Sequence, residues 1–184
     1  MKNTDVSICL FKKVILISVL ILSGCAHPPE IKFTNNALRG GYTKNIGKLH
    51  IISSLSYKKQ NSFDEKLQKS MLKEAKAIGF EAVYISISGL EPESVSSYFK
   101  SAIENKATHI LTLKDKSVIK GVWKDYELGL FDMQDKSRVW LADIRVFPWR
   151  TFMYDYQWDQ RSSDLLAKEI FNQLKNEGLL KRLN

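Results

Sequence analysis

The middle of the chain alternates between runs with strand character and stretches with helical spacing of apolar residues. Short runs rich in β-branched and aromatic residues predict strands at residues 48–56, 80–87 and 108–113. Between them, apolar residues recur every three or four positions, which predicts two amphipathic helices. The apolar positions are Phe63, Leu67, Met71, Leu72, Ala75 and Ile78 in the first helix, and Val95, Tyr98, Phe99, Ala102 and Ile103 in the second.

Local signals delimit these two helices. Ser62 and Glu65 have the spacing of a capping box at the start of the first helix, and Gly79 supplies its stop. Pro92 suits the first turn of the second helix. Two β-α-β crossovers follow from this order, and they predict right-handed connections between parallel strands.

The pattern then changes to alternation with a period of two. Residues 121–132 place Val122, Tyr126, Leu128 and Leu130 on one face, and residues 138–147 form a second such run. The polar stretch 133–137 between them indicates a β-hairpin. Residues 151–158 alternate as well, which predicts a sixth strand.

A final helix completes the predicted domain. Ser162 or Ser163 is its expected cap, and Gly178 its stop. Its apolar stripe is Leu165, Leu166, Ile170, Phe171 and Leu174, with Leu179-Leu180 expected to dock on the core. The element order β-α-β-α-β-β-β-(β)-α predicts an α/β fold (α+β mixed sheet), in which about three helices pack on a mixed parallel and antiparallel sheet. One domain is expected over residues 47–184.

The first 24 residues have the order of a secretory signal. Lys12-Lys13 precedes the apolar residues 14–22, and the small residues Ser23 and Gly24 follow. The apolar stretch is shorter than the roughly 20 residues that a bilayer-spanning helix needs. We therefore expect residues 1–24 to be removed as a signal peptide.

Leu22-Ser23-Gly24-Cys25 resembles the lipobox of bacterial lipoproteins. The resemblance implies cleavage before Cys25 and a lipid anchor of palmitate-type acyl chains on that residue. Each buried methylene contributes about 0.8 kcal/mol to membrane binding, so several chains anchor firmly. The absence of Asp after the cysteine (Ala26 follows) implies the outer membrane, with the domain in the periplasm.

The segment after the cysteine has the composition of a linker. It contains Pro28, Pro29, Gly40 and Gly41 without a helix or strand period, so residues 25–46 are expected to be a lipidated cysteine and a flexible tether. A tether of this length has an r.m.s. reach of roughly 25 Å. The apolar residues Ile31, Phe33 and Leu38 leave open that part of the segment lies against the domain.

Composition adds little to this picture. The formal net charge of +8 gives a mild bias toward anionic partners, or simply a solvated basic surface. Nucleic acid is not an expected partner of an exported chain. Because Cys9 lies in the signal, the exported domain has no second thiol with which Cys25 could form a disulfide.

Candidate chemistry is sparse. The histidines His27, His50 and His109 lie on separate elements without cysteine or carboxylate neighbours at ligand spacing, so neither a metal nor a cofactor is expected. No nucleophile or phosphate-binding motif is present, which favours a protein that is not an enzyme.

The predicted hairpin brings charged residues together. If Asp132 pairs with Arg138, Asp125 lies opposite Arg145, and Glu127 lies opposite Asp143. The second pair would be two close carboxylates, the one arrangement that could serve acid–base chemistry. A solvated outer face of the sheet explains the same residues.

The segment from Phe147 to Trp158 is the richest in candidate binding residues, with six aromatic residues among twelve. Trp, Tyr and Arg dominate binding hot spots. The predicted partner-binding residues are Trp149, Arg150, Phe152, Tyr154, Tyr156 and Trp158. Contact with lipid headgroups, stacking on sugars, or burial of alternate rings against a helix or strand are the alternatives.

A broader resemblance covers residues 47–180. It rests on the helix ending at Ile78-Gly79-Phe80, the strand 126–132, Arg138-Val139-Trp140, and the closing Glu177-Gly178-Leu179-Leu180. This order is similar to that of small periplasmic lipoproteins with a domain like the N-terminal one of TolB, including LpoB-type activators and CsgG-type secretion lipoproteins. Gln134-Asp135-Lys136 departs from the Thr-Gly turn common there.

These likenesses imply a membrane-anchored cell-envelope lipoprotein that acts as an accessory, assembly or protein-binding factor. Its expected partners are the membrane, through Cys25, and an envelope protein. The alternative is a periplasmic binder or carrier of a small apolar ligand or lipid, which would need a cavity between sheet and helices. An enzyme would need polar groups that converge in a cleft.

Overall fold

The computed structural model describes residues 28–55, 61–87, 92–116, 123–147, 149–151, 154–157 and 160–180, and describes no side chains at 61–62, 92–95 and 149–157. The predicted signal, the lipobox and Cys25 lie outside these residues. None of the helices in the described ranges is long and apolar enough to cross a membrane.

Six strands form one sheet in the order β1-β6-β5-β4-β2-β3. Strand β2 pairs in parallel with β3 and β4, whereas the pairs β4–β5, β5–β6 and β1–β6 are antiparallel. The predicted mixed α/β fold is therefore confirmed. The strands are β1 Glu30–Leu38, β2 Lys48–Ser54, β3 Glu81–Ser86, β4 His109–Asp115, β5 Lys124–Asp132 and β6 Ser137–Phe147.

Helices cover both faces of this sheet. The consecutive residues Ile51 and Ile52 of β2 belong to two different apolar cores, because neighbouring strand residues point to opposite faces. The first core lies under two helices, and the second under one. The helices are α1 Asn61–Ala77 and α3 Gln160–Asn176 on the first core, and α2 Pro92–Glu104 on the second.

Most predicted core positions of the helices are buried, but three details differ. Ile103, in the last turn of α2, is 59% exposed. Ile78 is exposed just after α1 ends. Ser162 and Ser163 do not cap α3 from outside, since the helix begins at Gln160 and both serines are buried within its first turn.

The predicted tether is wrong over most of its length. Strand β1 occupies residues 30–38 and pairs with all of β6 from Trp140 to Phe147. Ile31 and Phe33 pack against the first core, and Tyr42 and Ile46 are buried. The physical reason is that β6, eleven residues long, would otherwise expose a free edge and apolar surface. The domain therefore begins at Glu30 instead of residue 47.

The predicted sixth strand at 151–158 is also different. Two short strands, β7 Trp149–Thr151 and β8 Tyr154–Gln157, pair with each other in a separate two-stranded sheet. The place beside β6 that a further strand would take is already filled by β1. We call these two paired strands the aromatic hairpin.

The antiparallel register gives the sheet two distinct ends. At the proximal end, β1 begins at Glu30 and β6 ends opposite it at Phe147. At the distal end, β1 finishes at Leu38 and the turn between β5 and β6 connects Asp132 to Ser137. The parallel strands β2 and β4 start at the distal end, since His109 lies opposite both Leu49 and Asp132.

Candidate functional site

The distal end carries a buried polar cluster built on Tyr42, His109 and Asp132. The Tyr42 hydroxyl donates to Asp132 Oδ2 at 2.9 Å, and His109 Nε2 lies 2.6 Å from the same hydroxyl oxygen. Because Tyr42 has one O–H and gives it to Asp132, the matching arrangement has His109 donating from Nε2. His109 Nδ1 lies 3.0 Å from Thr108 Oγ1. Both ring nitrogens of His109 are thus engaged within the protein.

Asp132 remains a carboxylate in this cluster. Burial alone would raise its pKa, but hydrogen bonds from the backbone of Asp135 and Gln134, from Lys44 and from Tyr42 outweigh burial and lower the pKa to about 2. Lys44 Nζ lies 3.0 Å from Asp132 Oδ2 and 2.6 Å from Asp135 Oδ1. The negative charge is therefore held by fixed donors on one side and by an ammonium on the other.

Burial also shifts the pKa values of the other two residues of the cluster, His109 and Tyr42. Burial lowers the pKa of His109, although the nearby Asp132 carboxylate opposes the shift. Burial, together with the hydrogen bond to Asp132, raises the pKa of Tyr42. At neutral pH the imidazole is neutral and the phenol keeps its proton, so neither presents a free base or nucleophile.

Segment 39–47, between β1 and β2, holds this cluster in place. Arg39 donates to Ser137 Oγ at 2.8 Å and to Asp135 Oδ2 at 3.0 Å, and its guanidinium lies over the ring of Tyr42. The backbone N–H of Ile46 donates to Leu179 O at 2.9 Å. The segment is therefore fastened to the β5–β6 turn at one side and to the end of α3 at the other.

A cleft opens beside the cluster. Its volume is about 460 Å³, which lies in the range of small-ligand sites. Half of its ten lining residues are charged or amide-bearing, and Ile103 and Met133 are the larger apolar members. The lining residues are Lys44, Asn45, Ile103, Lys106, Ala107, Thr108, His109, Asp132, Met133 and Gln134. We call this the distal cleft, and its chemistry suits a polar ligand or a polar segment of a protein.

The sequence did not indicate this site. Tyr42 and Lys44 fell in the predicted linker, and His109 and Asp132 were assigned to separate strands without a common role. The apolar side chains Tyr42 and Ile46 within an otherwise polar segment were the available signal, because buried residues fasten a segment to a core.

The predicted register of the β5–β6 hairpin is confirmed where charges meet. Asp125 lies opposite Arg145, whose Nε and Nη2 donate to its two carboxylate oxygens at 2.7 and 3.0 Å. Glu127 lies opposite Asp143. The assumed pairing of Asp132 with Arg138 is wrong. Asp132 pairs with Ser137, because an irregularity between Leu130 and Phe131 shifts the register there.

The carboxylate pair does not stand alone. Lys116 Nζ lies 2.7 Å from Asp143 Oδ1, and this hydrogen bond raises the pKa of the lysine, with Glu127 adding to the shift. The ammonium thus offsets the repulsion between the two carboxylates. This ion pair favours the interpretation of Glu127 and Asp143 as part of the outer face of the sheet over their interpretation as an acid–base site.

His50 is buried like His109 but lacks partners. It is 1% exposed at the centre of β2, and neither ring nitrogen has a hydrogen-bond partner. Burial and the nearby Lys48 ammonium lower its pKa. Within the described ranges, no group of three or more His, Cys, Asp or Glu side chains is arranged to hold a metal ion.

Those residues predicted for partner binding that fall in the described ranges lie together at the proximal end. Trp149, Arg150, Tyr154 and Tyr156 belong to the aromatic hairpin, while Phe152 and Trp158 lie outside the described residues. The hairpin follows directly after β6, whose last residue, Phe147, is partly buried. The structure therefore separates these residues from the distal cleft.

Comparison with known proteins gives distant likenesses. No protein-family model matches the sequence, and no curated protein matches it. The PelC dodecamer from Paraburkholderia phytofirmans is similar in structure, with 14% identity and a TM-score of 0.47 over 76% of this chain and 94% of that chain. A second PelC dodecamer structure from that organism has 16% identity and a TM-score of 0.48.

TolB from Acinetobacter baumannii is a further similar structure. It has 9% identity and a TM-score of 0.36, and the match covers 80% of this chain but 31% of TolB. No function for this chain follows from likenesses of this size.

Proposed function

We propose that this chain is a lipid-anchored protein of the bacterial cell envelope, on the periplasmic side of the outer membrane, and that it acts by binding a partner. The observation that carries the proposal is the order of the first 30 residues: a secretory signal, the lipobox ending at Cys25, and a folded domain that begins at Glu30. An anchor so close to a domain suits a protein that works at the membrane surface.

The geometry of the distal cleft supports binding without catalysis. Its histidine, tyrosine and carboxylate satisfy one another, and Lys44 neutralises the carboxylate. A second pocket, at the C-terminal ends of α1 and α3, holds about 130 Å³, less than the roughly 300 Å³ of the smaller ligand sites. The charged and amide groups that line the first pocket, and the small size of the second, favour a protein partner over a large apolar ligand.

The anchor is tested by metabolic labelling with a palmitate analogue and by membrane fractionation. The wild-type chain is expected to be labelled and to sediment with outer membranes, whereas Cys25→Ser is expected to lose the label. Ala26→Ser, a change at the adjoining position, is the matched control and should keep both. A wild-type chain that is unlabelled and recovered in the soluble fraction would contradict the proposal.

The binding role is tested by site-directed photocrosslinking in cells. A photoreactive residue at Asn45, exposed on the distal cleft, should capture one specific envelope protein. The same residue at Lys69, exposed on α1, is the control and should not. Recovery of a small molecule or lipid with the protein, and no crosslinked protein, would overturn the binding role in favour of a carrier.

A further inference from the structure

The length of chain between Cys25 and the domain limits where the proximal end can lie. This step rests on the proposed lipidation of Cys25. Four residues lie between Cys25 and Glu30, and even fully extended the five Cα–Cα steps span about 17 Å. The acyl chains are buried in the membrane, so the first residue of β1 stays within that distance of the lipid surface.

The register of the sheet brings the aromatic hairpin to the same place. Phe147, the last residue of β6, lies opposite Glu30, and β7 begins only two residues later at Trp149. The lipid anchor and the aromatic hairpin therefore leave the sheet at one end, on two neighbouring strands. Their separation along the chain, more than 120 residues, conceals this closeness in the sequence.

Side chains described at this end combine aromatic rings with charged groups. The rings of Trp123 and Phe147 lie 5.9 Å apart. Arg145 lies over Trp123 and Lys32 over Phe147, each 5.5 Å from the ring centre. Each cation is also paired with a carboxylate, Arg145 with Asp125 and Lys32 with Glu30. Aromatic residues concentrate at membrane–water interfaces, and basic residues near them interact with anionic headgroups.

The opposite end of the sheet provides a contrast. Strand β1 has nine residues, and at a rise of about 3.3 Å per residue its last residue lies roughly 26 Å from Glu30. The distal cleft lies there, and half of its ten lining residues are charged or amide-bearing. A molecule with this polarity presents one end to the lipid and the other to the aqueous compartment.

We propose that the proximal end forms a second membrane contact, in which the aromatic hairpin (Trp149, Arg150, Tyr154 and Tyr156) and the adjoining Trp123, Phe147, Lys32 and Arg145 lie against the phospholipid headgroups of the anchoring membrane. The hairpin then serves the bilayer and not a protein partner. The contact holds the domain in one orientation, with the distal cleft directed away from the lipid.

The test uses the full-length, lipidated protein in vesicles of phosphatidylethanolamine and phosphatidylglycerol. After loss of the signal, Cys25 is the only cysteine and is acylated, so one introduced cysteine supplies a single free thiol. Thr151→Cys places an environment-sensitive fluorophore in the hairpin, and Asn45→Cys places it at the distal cleft.

The label at residue 151 should shift its emission to shorter wavelength on reconstitution and become several-fold less accessible to a water-soluble quencher. The label at residue 45 should behave alike in vesicles and in detergent. Adding Trp149→Ala and Arg150→Ala to Thr151→Cys should remove most of the protection, while circular dichroism confirms that the variant is folded.

Equal quenching of the two labels on protein that floats with the vesicles would overturn the second contact and leave the lipid anchor standing. Protection at residue 151 that depends on a copurifying protein would overturn it too. Protein that neither carries acyl chains nor floats with vesicles would contradict the anchor itself, and the inference with it.

Discussion

At the scale of single residues, the two buried histidines show how differently one residue type can be accommodated. His109 engages both ring nitrogens with Tyr42 and Thr108, whereas His50 engages neither. A buried polar group without a hydrogen bond costs stability, while one with its partners roughly recovers the cost of leaving water. The two residues should therefore respond in opposite ways to replacement by an apolar side chain.

His50→Leu is expected to stabilise the domain by about 1 kcal/mol, because it removes two unsatisfied buried nitrogens and keeps a similar volume. His109→Leu is the matched control and should destabilise by roughly 1–3 kcal/mol, because the buried Tyr42 hydroxyl loses a partner. Urea unfolding at pH 7.5 measures both changes. Equal destabilisation by the two replacements would contradict this difference in hydrogen bonding between His50 and His109.

The same residues predict how stability depends on pH. Burial lowers the pKa of both His50 and His109 in the folded state, whereas an unfolded histidine titrates near 6.5. As pH falls below about 6.5 the unfolded chain binds protons that the folded chain does not, so the free energy of unfolding decreases.

Urea unfolding between pH 7.5 and 5.5 should show this decrease, and His50→Leu should make it smaller. A wild-type stability that is constant or rises over that interval would exclude the proposed burial of neutral histidines.

At the scale of elements, the three helices end in one hydrogen-bond pattern. After each helix, the backbone N–H of the residue in left-handed conformation donates to the carbonyl three positions back. The N–H of the following residue donates to the carbonyl five positions back. The residue in left-handed conformation is Gly79 after α1, Gly178 after α3 and Lys106 after α2. Only α2 places a side chain where glycine is favoured, and Lys106 also lines the distal cleft.

Gly79→Ala is expected to cost about 1 kcal/mol of stability, because the added Cβ meets open space and the penalty is that of the left-handed backbone alone. Lys106→Gly should do the reverse and stabilise by roughly 0.5–1 kcal/mol. Thermal unfolding of both variants provides the measurement. A stabilising Gly79→Ala would show that the residue has a different backbone conformation.

Helix α1 is fixed to the sheet by one buried carboxylate in its first turn. Asp64 accepts hydrogen bonds from the hydroxyls of Ser53 and Tyr84, each at 2.7 Å, and from Ser86. The serines lie near the ends of β2 and β3, and a carboxylate at a helix N-terminus is also favoured by the helix dipole.

Asp64→Ala is expected to destabilise the domain by roughly 2–4 kcal/mol, because the buried hydroxyls of Ser53 and Tyr84 lose their acceptor. Lys69→Ala, at an exposed position of the same helix, should change stability by no more than about 0.5 kcal/mol. Guanidinium unfolding distinguishes the two. Similar small effects at both positions would show that the hydroxyls find other partners.

At the scale of the whole molecule, the connection between Cys25 and Glu30 bears on the proposed membrane contact. A flexible tether of the length first expected would let the domain rotate freely. If Cys25 carries the proposed lipid, a connection of four residues keeps the proximal end at a high effective concentration beside the membrane, which strengthens even a weak second contact.

Inserting ten Gly and Ser residues between Pro29 and Glu30 is expected to weaken the proximal contact while leaving the anchor intact, because effective concentration falls as a linker lengthens. The label at residue 151 should regain access to the quencher, and the protein should still float with vesicles. Protection that is unchanged by the insertion would indicate that the hairpin binds lipid without help from the anchor.

The sequence by itself determined the three helices and the strands from β2 to β6. Strong periodicity, capping residues and stop glycines are local signals, so β2, α1, β3, α2, β4 and the β5–β6 hairpin with its Asp125–Arg145 pairing could be predicted. The lipobox is local too, which is why the proposed anchor rests on residues 1–25 alone.

The tertiary structure decided what depends on distant partners. Strand β1 has weak strand character, with Thr34, Asn35 and Asn36 in its centre, and it forms because β6 offers an open edge. Because β1 pairs with β6, the expected sixth strand has no place in the sheet, and a separate hairpin forms instead. The distal cluster joins residues 42, 109 and 132, and the proximal end joins residues 30 and 147. Contacts between residues so far apart arise only when the sheet is assembled, so no local pattern could reveal them.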